Sequence, residues 1–248
     1  MRSSVKKYLL AACLLWLALA SFGCLTGIDH EQDFQAGMEA YQKGDYETAL
    51  KLWRPIAESG HPSAQTNLGV MYYQGLGTEQ DYAQAVKWYQ MAALQGYADA
   101  EFNLAVAYAD GRGLEKDYRE ALRWYRLAAE QGYAPAAFNL GDLYYHGRGV
   151  GVDYDQAARW YRQAADQGHL GAIFMLGSMH VAGQGVPRDL VQAYMWFTLA
   201  SLPNNAASRQ SALRNRDLIA RQMTPDQIDE AEQLAKDWKP KPQPGKTQ

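Results

Sequence analysis

The stretch DYREALRWYRLAAEQGYAPAAFNLGDLYYHGRGVGV, residues 117–152, follows a near copy of itself, DYAQAVKWYQMAALQGYADAEFNLAVAYADGRGLEK, residues 81–116. The opening aspartate recurs at Asp45, Asp81, Asp117, Asp153 and Asp189, each 36 residues after the last. A fixed period of this length marks an array of stacked units, each too small to bury its own apolar face.

Each unit reads as two helices. The aspartates stand at N-cap positions, and Gln84, Glu120, Gln156 and Gln192 lie at the third position after the cap, the spacing of a capping box. Ala85, Trp88, Tyr89, Ala92 and Ala93, with their counterparts Ala121, Trp124, Tyr125, Ala128 and Ala129, form an apolar stripe of helical period. Its first column is alanine in all five units (Ala49, Ala85, Ala121, Ala157, Ala193), which lets a neighbouring helix approach closely. Gly60, Gly96, Gly132 and Gly168 then fall where a chain leaves a helix in the left-handed conformation, and Asn204 takes that place in the fifth unit. The other helix carries Leu68, Leu104, Leu140 and Leu176, each followed by a small residue (Gly69, Ala105, Gly141, Gly177) and then by Tyr72, Tyr108, Tyr144 or His180. It closes on a Gly-x-Gly beginning at Gly75, Gly111, Gly147 or Gly183. No strand precedes these glycines, so they read as turns rather than as a phosphate cradle.

The succession of LG, Y, GxG, DY, A, WY, AA and G at these spacings resembles the Sel1-like repeat family, a relative of the tetratricopeptide repeat, over about residues 31–202. The resemblance implies an all-α fold, a right-handed α-solenoid of stacked antiparallel helix pairs. Residues 31–60 depart from the pattern: Gly37 to Asp45 spans 8 residues where Gly69 to Asp81 spans 12, so EAYQKGDYETAL looks like a plain tetratricopeptide unit with a short loop. Residues 61–202 resemble Sel1-like repeats. Residues 203–238 predict two capping helices, the second opened by Thr224, Pro225 and Gln227. Residues 239–248, KPKPQPGKTQ, are expected to be a disordered tail.

Residues 1–23 read as an export signal. The basic head MRSSVKK is followed by YLLAACLLWLALA, an apolar run shorter than the ~20 residues of a membrane span. Cys24, after SFG, resembles the lipidated cysteine of a bacterial lipobox, although Ser21 and Phe22 stand where that motif has leucine and a small residue. Two outcomes follow: a lipid anchor on Cys24, or cleavage after Ala18–Ala20 or Gly23 that leaves a periplasmic protein. Residues 24–30 form a short linker. Cys13 and Cys24 are the only cysteines of the 248 residues, so the body of the chain holds no disulfide. Net charge is −3, and removal of residues 1–23 leaves 21 basic against 27 acidic residues. A nucleic-acid partner, which needs a basic stripe, is not expected.

Nothing in the array predicts catalysis, a cofactor or a metal. His61 and His169 share a loop position three repeats apart, too far to meet at one ion; His180 sits in the tyrosine column and reads as structural; His146 ends a helix beside Gly147. The body lacks a cysteine nucleophile or zinc ligand. Trp88, Trp124, Trp160 and Trp196 form one column and read as core rather than as an aromatic box. Glu79, Glu115 and Asp155 read as solvated surface.

The face left after the core is assigned lies on the LG-bearing helices: Thr66, Val70 and Tyr73; Phe102, Val106 and Ala109; Phe138, Asp142, Tyr145 and His146; Phe174, Ser178 and Val181. By resemblance to tetratricopeptide arrays this is the concave wall, expected to hold a protein or peptide of the cell envelope. The alternative is that Phe102, Phe138 and Phe174 pack between adjacent repeats. The resemblance further implies a non-catalytic adaptor in envelope assembly, polysaccharide export or signalling, or a permanent component of an envelope complex. Some secreted relatives have been assigned β-lactamase or penicillin-binding activity. Those are cysteine-rich, with a disulfide in each repeat, and this chain lacks such cysteines.

Overall fold

The computed structural model describes residues 30–202 and 206–241. The export segment, Cys24, Asn204 and residues 242–248 of the expected tail lie outside the described residues. Twelve helices and no strand occur among the described residues: α1 (His30–Gln42), α2 (Tyr46–Glu58), α3 (Pro62–Gln74), α4 (Tyr82–Ala93), α5 (Ala98–Asp110), α6 (Tyr118–Glu130), α7 (Ala134–His146), α8 (Tyr154–Asp166), α9 (Leu170–Ala182), α10 (Leu190–Ser201), α11 (Ala206–Ala220) and α12 (Pro225–Asp237). The chain divides after Asp81 into two compact units, α1–α3 and α4–α12. Within each unit the helices as far as α11 each pack on the next in sequence, and α12 packs on α10. The fold is the all-α solenoid of stacked helix pairs that the period predicts.

The aspartate caps form as the spacing requires. Asp117 accepts from the N–H groups of Arg119 and Glu120, Asp153 from Gln156, Asp189 from Val191 and Gln192, and Asp45 from Thr48. The reciprocal half of the box closes between Thr224 and Gln227, whereas the Glu120 side chain turns to Arg123 at 3.3 Å. At the other ends of these helices Gly60, Gly96, Gly132 and Gly168 all take positive φ, as do both glycines of every Gly-x-Gly. The second of those glycines has no room for a side chain. A Cβ on Gly185 would lie 2.0 Å from the carbonyl oxygen of Tyr154, and one on Gly113 2.2 Å from that of Tyr82. Each turn thus rests on the backbone that starts the Asp-capped helix of its own repeat's predecessor, 31 residues earlier.

The leucine column (Leu68, Leu104, Leu140, Leu176) and the alanine column are buried throughout. The tryptophan column is less uniform than its spacing predicts. Trp124 and Trp196 are buried, but Trp88 and Trp160 are only partly so. The deepest aromatic column is the next residue along: Tyr89, Tyr125, Tyr161 and Phe197 are all 3% exposed or less. The reason is the small residue after each leucine. At Gly141 and Gly177 a Cβ would come within 2.7 Å of the Tyr161 ring and 2.9 Å of the Phe197 ring, so the glycines are seats for these rings. In the first unit Trp53 occupies the equivalent place above Gly37 and donates its indole N–H to the Phe34 carbonyl at 3.1 Å. The buried indole N–H groups of Trp124, Trp160 and Trp196 meet no protein acceptor.

His180, in the tyrosine column, is buried. Its Nδ1–H donates to the Pro187 carbonyl at 3.2 Å. Arg54 and Arg126 donate to the hydroxyls of Tyr72 and Tyr144 on the facing helix. The equivalent Arg162 instead lies over the Trp196 ring, 4.8 Å from its centroid.

The C-terminal helices cap the array on Tyr194, Phe197, Ile219 and Ala231. Trp238 then packs edge-on against Trp196, at 6.0 Å between ring centroids. Residues 239–241, assigned to the tail by composition, continue from this anchor: Pro240 lies against Gly168, and Lys241 pairs with Asp166 at 2.6 Å. An anchoring tryptophan just before the proline-rich run accounts for the difference.

Candidate partner-binding face

Of the residues expected on the binding wall, Thr66 is buried, its hydroxyl donating to the Pro62 carbonyl, and offers little surface. Val70, Tyr73, Phe102, Val106, Ala109, Phe138, Asp142, Tyr145, Phe174, Ser178 and Val181 are half-buried, and His146 is exposed. Phe102 and Phe138 pack onto the start of the next repeat as well as within their own. Phe102 lies 5.8 Å from Tyr125 and 5.2 Å from Tyr133; Phe138 lies 5.7 Å from Tyr161 and stacks at 4.5 Å on His169; Phe174 meets Phe197 edge-on at 5.3 Å. Each ring covers the aromatic column of its own repeat, and Phe102 and Phe138 also cover the start of the next.

Tyr145 is held in the same way. Its hydroxyl donates to Gln184 Oε1 at 3.0 Å and its ring meets Tyr154 edge-on at 5.2 Å. Truncating Tyr145 therefore removes packing as well as surface. Asp142 accepts the Tyr161 hydroxyl at 2.6 Å. Burial raises the Asp142 carboxyl above the ordinary carboxylate range, against the pull of the Tyr161 bond and of His146, Arg148 and His169.

Three cavities open beside these helices. One of about 200 Å³ is polar and takes in Ala109, Asn139, Asp142 and Arg148. A second, about 360 Å³ and mostly apolar, lies among Phe138, Leu170, Phe174, Met175 and Ser211. A third, about 300 Å³, lies among Ser178, Val181, Leu218 and Gln222. The last two place α11 beside α9, where the LG-bearing helix of a further repeat would stand. Sequence reading missed Asn139, which belongs to a column with Asn67 and Asn103 just before the buried leucine; that recurrence was the available signal. It also missed Asn215, Leu218 and Gln222, because α11 is outside the period.

His61 and His169 share a role that spacing did not reveal. Each caps a helix through Nδ1, accepting from Ala64 or Ala172 at 3.3 Å. This bond requires an unprotonated Nδ1. Burial lowers the pKa of His169, with Asp142 acting in the opposite sense, and burial likewise lowers that of His180. The folded chain thus binds these protons less readily than the unfolded chain. The associated stability is complete above about pH 6.5, the unfolded value, and is lost as pH falls through the depressed folded values. Melting temperature is expected to drop between pH 7 and pH 5. His169→Asn, which keeps a cap acceptor but does not titrate, should show a shallower slope; an unchanged slope would remove His169 from the account. Loss of the cap altogether in His169→Ala should cost about 1 kcal/mol at neutral pH.

Among the described residues no group of three or more His, Cys, Asp or Glu side chains could hold a metal ion, and no helix is long and apolar enough to cross a membrane.

Short paired helices, a 36-residue period and glycine-closed turns define an α-solenoid repeat protein. The Sel1 repeat profile matches residues 34–61, 62–97, 98–133, 134–169 and 171–202, and the chain belongs to the Sel1 repeat family. The match takes in the short first unit. A Sel1 repeat protein from Oxalobacter formigenes is 29% identical, with 82% of this chain and 98% of that one covered and a TM-score of 0.66. A putative Sel1 repeat protein from Klebsiella pneumoniae is 20% identical over 77% of this chain and 93% of that one, with a TM-score of 0.51. A protective antigen of uropathogenic Escherichia coli is 27% identical over 86% and 61%, with a TM-score of 0.46. No curated protein matches the chain. Sel1 repeat proteins are in general protein-interaction scaffolds without catalysis.

Proposed function

We propose that this protein is a non-catalytic adaptor of the bacterial cell envelope that holds a protein or peptide partner along the concave face of its LG-bearing helices, and that residues 1–23 export it. The observation that carries this reading is the run of three cavities beside α7, α9 and α11, set against the closed leucine and alanine columns behind them. Cavities with apolar floors and a few convergent polar groups are the usual form of a recognition site. Cys24 is the proposed lipid anchor.

In-cell photo-crosslinking tests it. A photoreactive residue at Val181 or Ser178 is expected to give a discrete adduct with an envelope protein, and one at Arg159, exposed on α8, to give none. A folded protein without an adduct from either α9 position would overturn the reading. For the anchor, Cys24→Ser should release the protein from membranes or stall its processing. A mature mass beginning at Ser21, or at unmodified Cys24, would contradict lipidation.

A further inference from the structure

The chain is acidic overall, yet residues 206–221 carry Arg209, Arg214, Arg216 and Arg221 against a single acid, Asp217. Arg216 is engaged, at 2.9 Å from Asp217 and with its guanidinium over the Tyr194 ring. Arg214 and Arg221 are exposed and form no ion pair among the described residues. Helical spacing puts Arg214 three residues after Ser211, beside the stripe of α11 that borders the second and third cavities, and Arg221 stands in the turn that directly follows α11, three residues after Leu218. Neither α9 nor α10 contains an acidic residue, so these helices bring no carboxylate to balance the arginines. Leu218, between the arginines, is 50% exposed.

We infer that the groove between α9 and α11 takes an extended peptide that combines apolar side chains with carboxylates, the apolar groups seated against Phe174, Val181 and Leu218 and the carboxylates on Arg214 and Arg221. The inference rests on the adaptor reading and gives its partner a chemistry. The rise of α11 from Arg214 to its end, with Arg221 in the turn just beyond, places the two arginines ~10 Å apart, and an extended chain covers that distance in about three residues. The recognised segment therefore carries acids about three positions apart with an apolar residue between them. Guanidinium groups suit this task because they meet carboxylates through a planar pair of donors.

The test uses the full chain and three fluorescein-labelled decapeptides of Leu and Phe, with Glu, Gln or Lys at positions three apart, followed by fluorescence anisotropy. The Glu peptide is expected to bind at least tenfold more tightly than the Gln peptide at 50 mM NaCl. The ratio should shrink at 500 mM, where charges are screened within ~4 Å. Arg214→Gln with Arg221→Gln should bring the Glu peptide down to the Gln peptide at unchanged melting temperature, and Leu218→Asp should weaken both. Equal binding of the Glu and Gln peptides, or tighter binding of the Lys peptide, overturns the inference. If the Val181 crosslink persists in that case, the adaptor reading stands; if it is also absent, both fail. A photoreactive residue at position 218 that joins two copies of the chain, or reaches residues 242–248, assigns the groove to that occupant and overturns the peptide assignment.

Discussion

Replacing Tyr161 by alanine is expected to cost about 3–5 kcal/mol, the range for emptying a large aromatic site in a packed core, whereas Trp160→Ala, one residue earlier, should cost no more than about half as much. Tyr161 is 0% exposed, its ring rests on Gly141, Phe138 covers it, and its hydroxyl donates to Asp142. Removing it opens a cavity and leaves a half-buried carboxyl without its donor. Trp160 is only partly buried, and its indole N–H lies in the interior without an acceptor. Desolvating that donor offsets part of what the ring contributes. Chemical denaturation of the two variants, compared by midpoint at constant slope, measures the difference. A Trp160→Ala loss equal to or larger than that of Tyr161→Ala would mean that the tryptophan column carries the core after all.

Gly185→Ala should be the other severe substitution, with a loss of roughly 3 kcal/mol or more, while Gly96→Ala should lose about 1–2 kcal/mol. Both glycines have positive φ, +65° and +78°, so both variants pay the left-handed penalty of an L-residue. They differ in surroundings. The added methyl at Gly96 meets nothing within 4 Å, whereas at Gly185 it lands on the Tyr154 carbonyl, main chain that has no rotamer to yield. Thermal melting of the two variants side by side decides the point, and similar losses would show that conformation alone, not contact, selects glycine at the second position of the turn.

Much of this fold was legible because the caps and turns depend on local chemistry. Asp117, Gly132 and Gly147 act on atoms within a few residues of themselves, and a sequence states such relations directly. The depth of Trp160 against Tyr161 was not legible: neighbouring positions on a helix differ by about 100°, and both fit an apolar stripe. What ranks them is the missing side chain at the seats across the helix pair, visible at Gly141 and Gly177 but not interpretable until the rings were seen on them. Histidine carries no N-cap expectation, so His169 is recognisable as a cap only through the Ala172 N–H it accepts. On the candidate face the sequence identified half-buried helix positions, yet it could not separate Tyr145, tied to Gln184 and Tyr154, from Val181, which opens onto a cavity. Nothing in the repeat period marks Arg214 and Arg221, which gain their place only from α11 lying beside α9.

The turn glycines also constrain how such a chain can have lengthened. Gly77 rests on Tyr46, Gly113 on Tyr82, Gly149 on Tyr118 and Gly185 on Tyr154, always across the same sequence separation. An insertion of one or two residues between the partners would slide a side chain under a carbonyl, but duplication of a whole repeat restores every such contact at once. Ancestral growth by complete modules is then the route of least disruption, and a gene for this array would be expected to vary among strains in steps of 108 nucleotides rather than by small indels within the repeats.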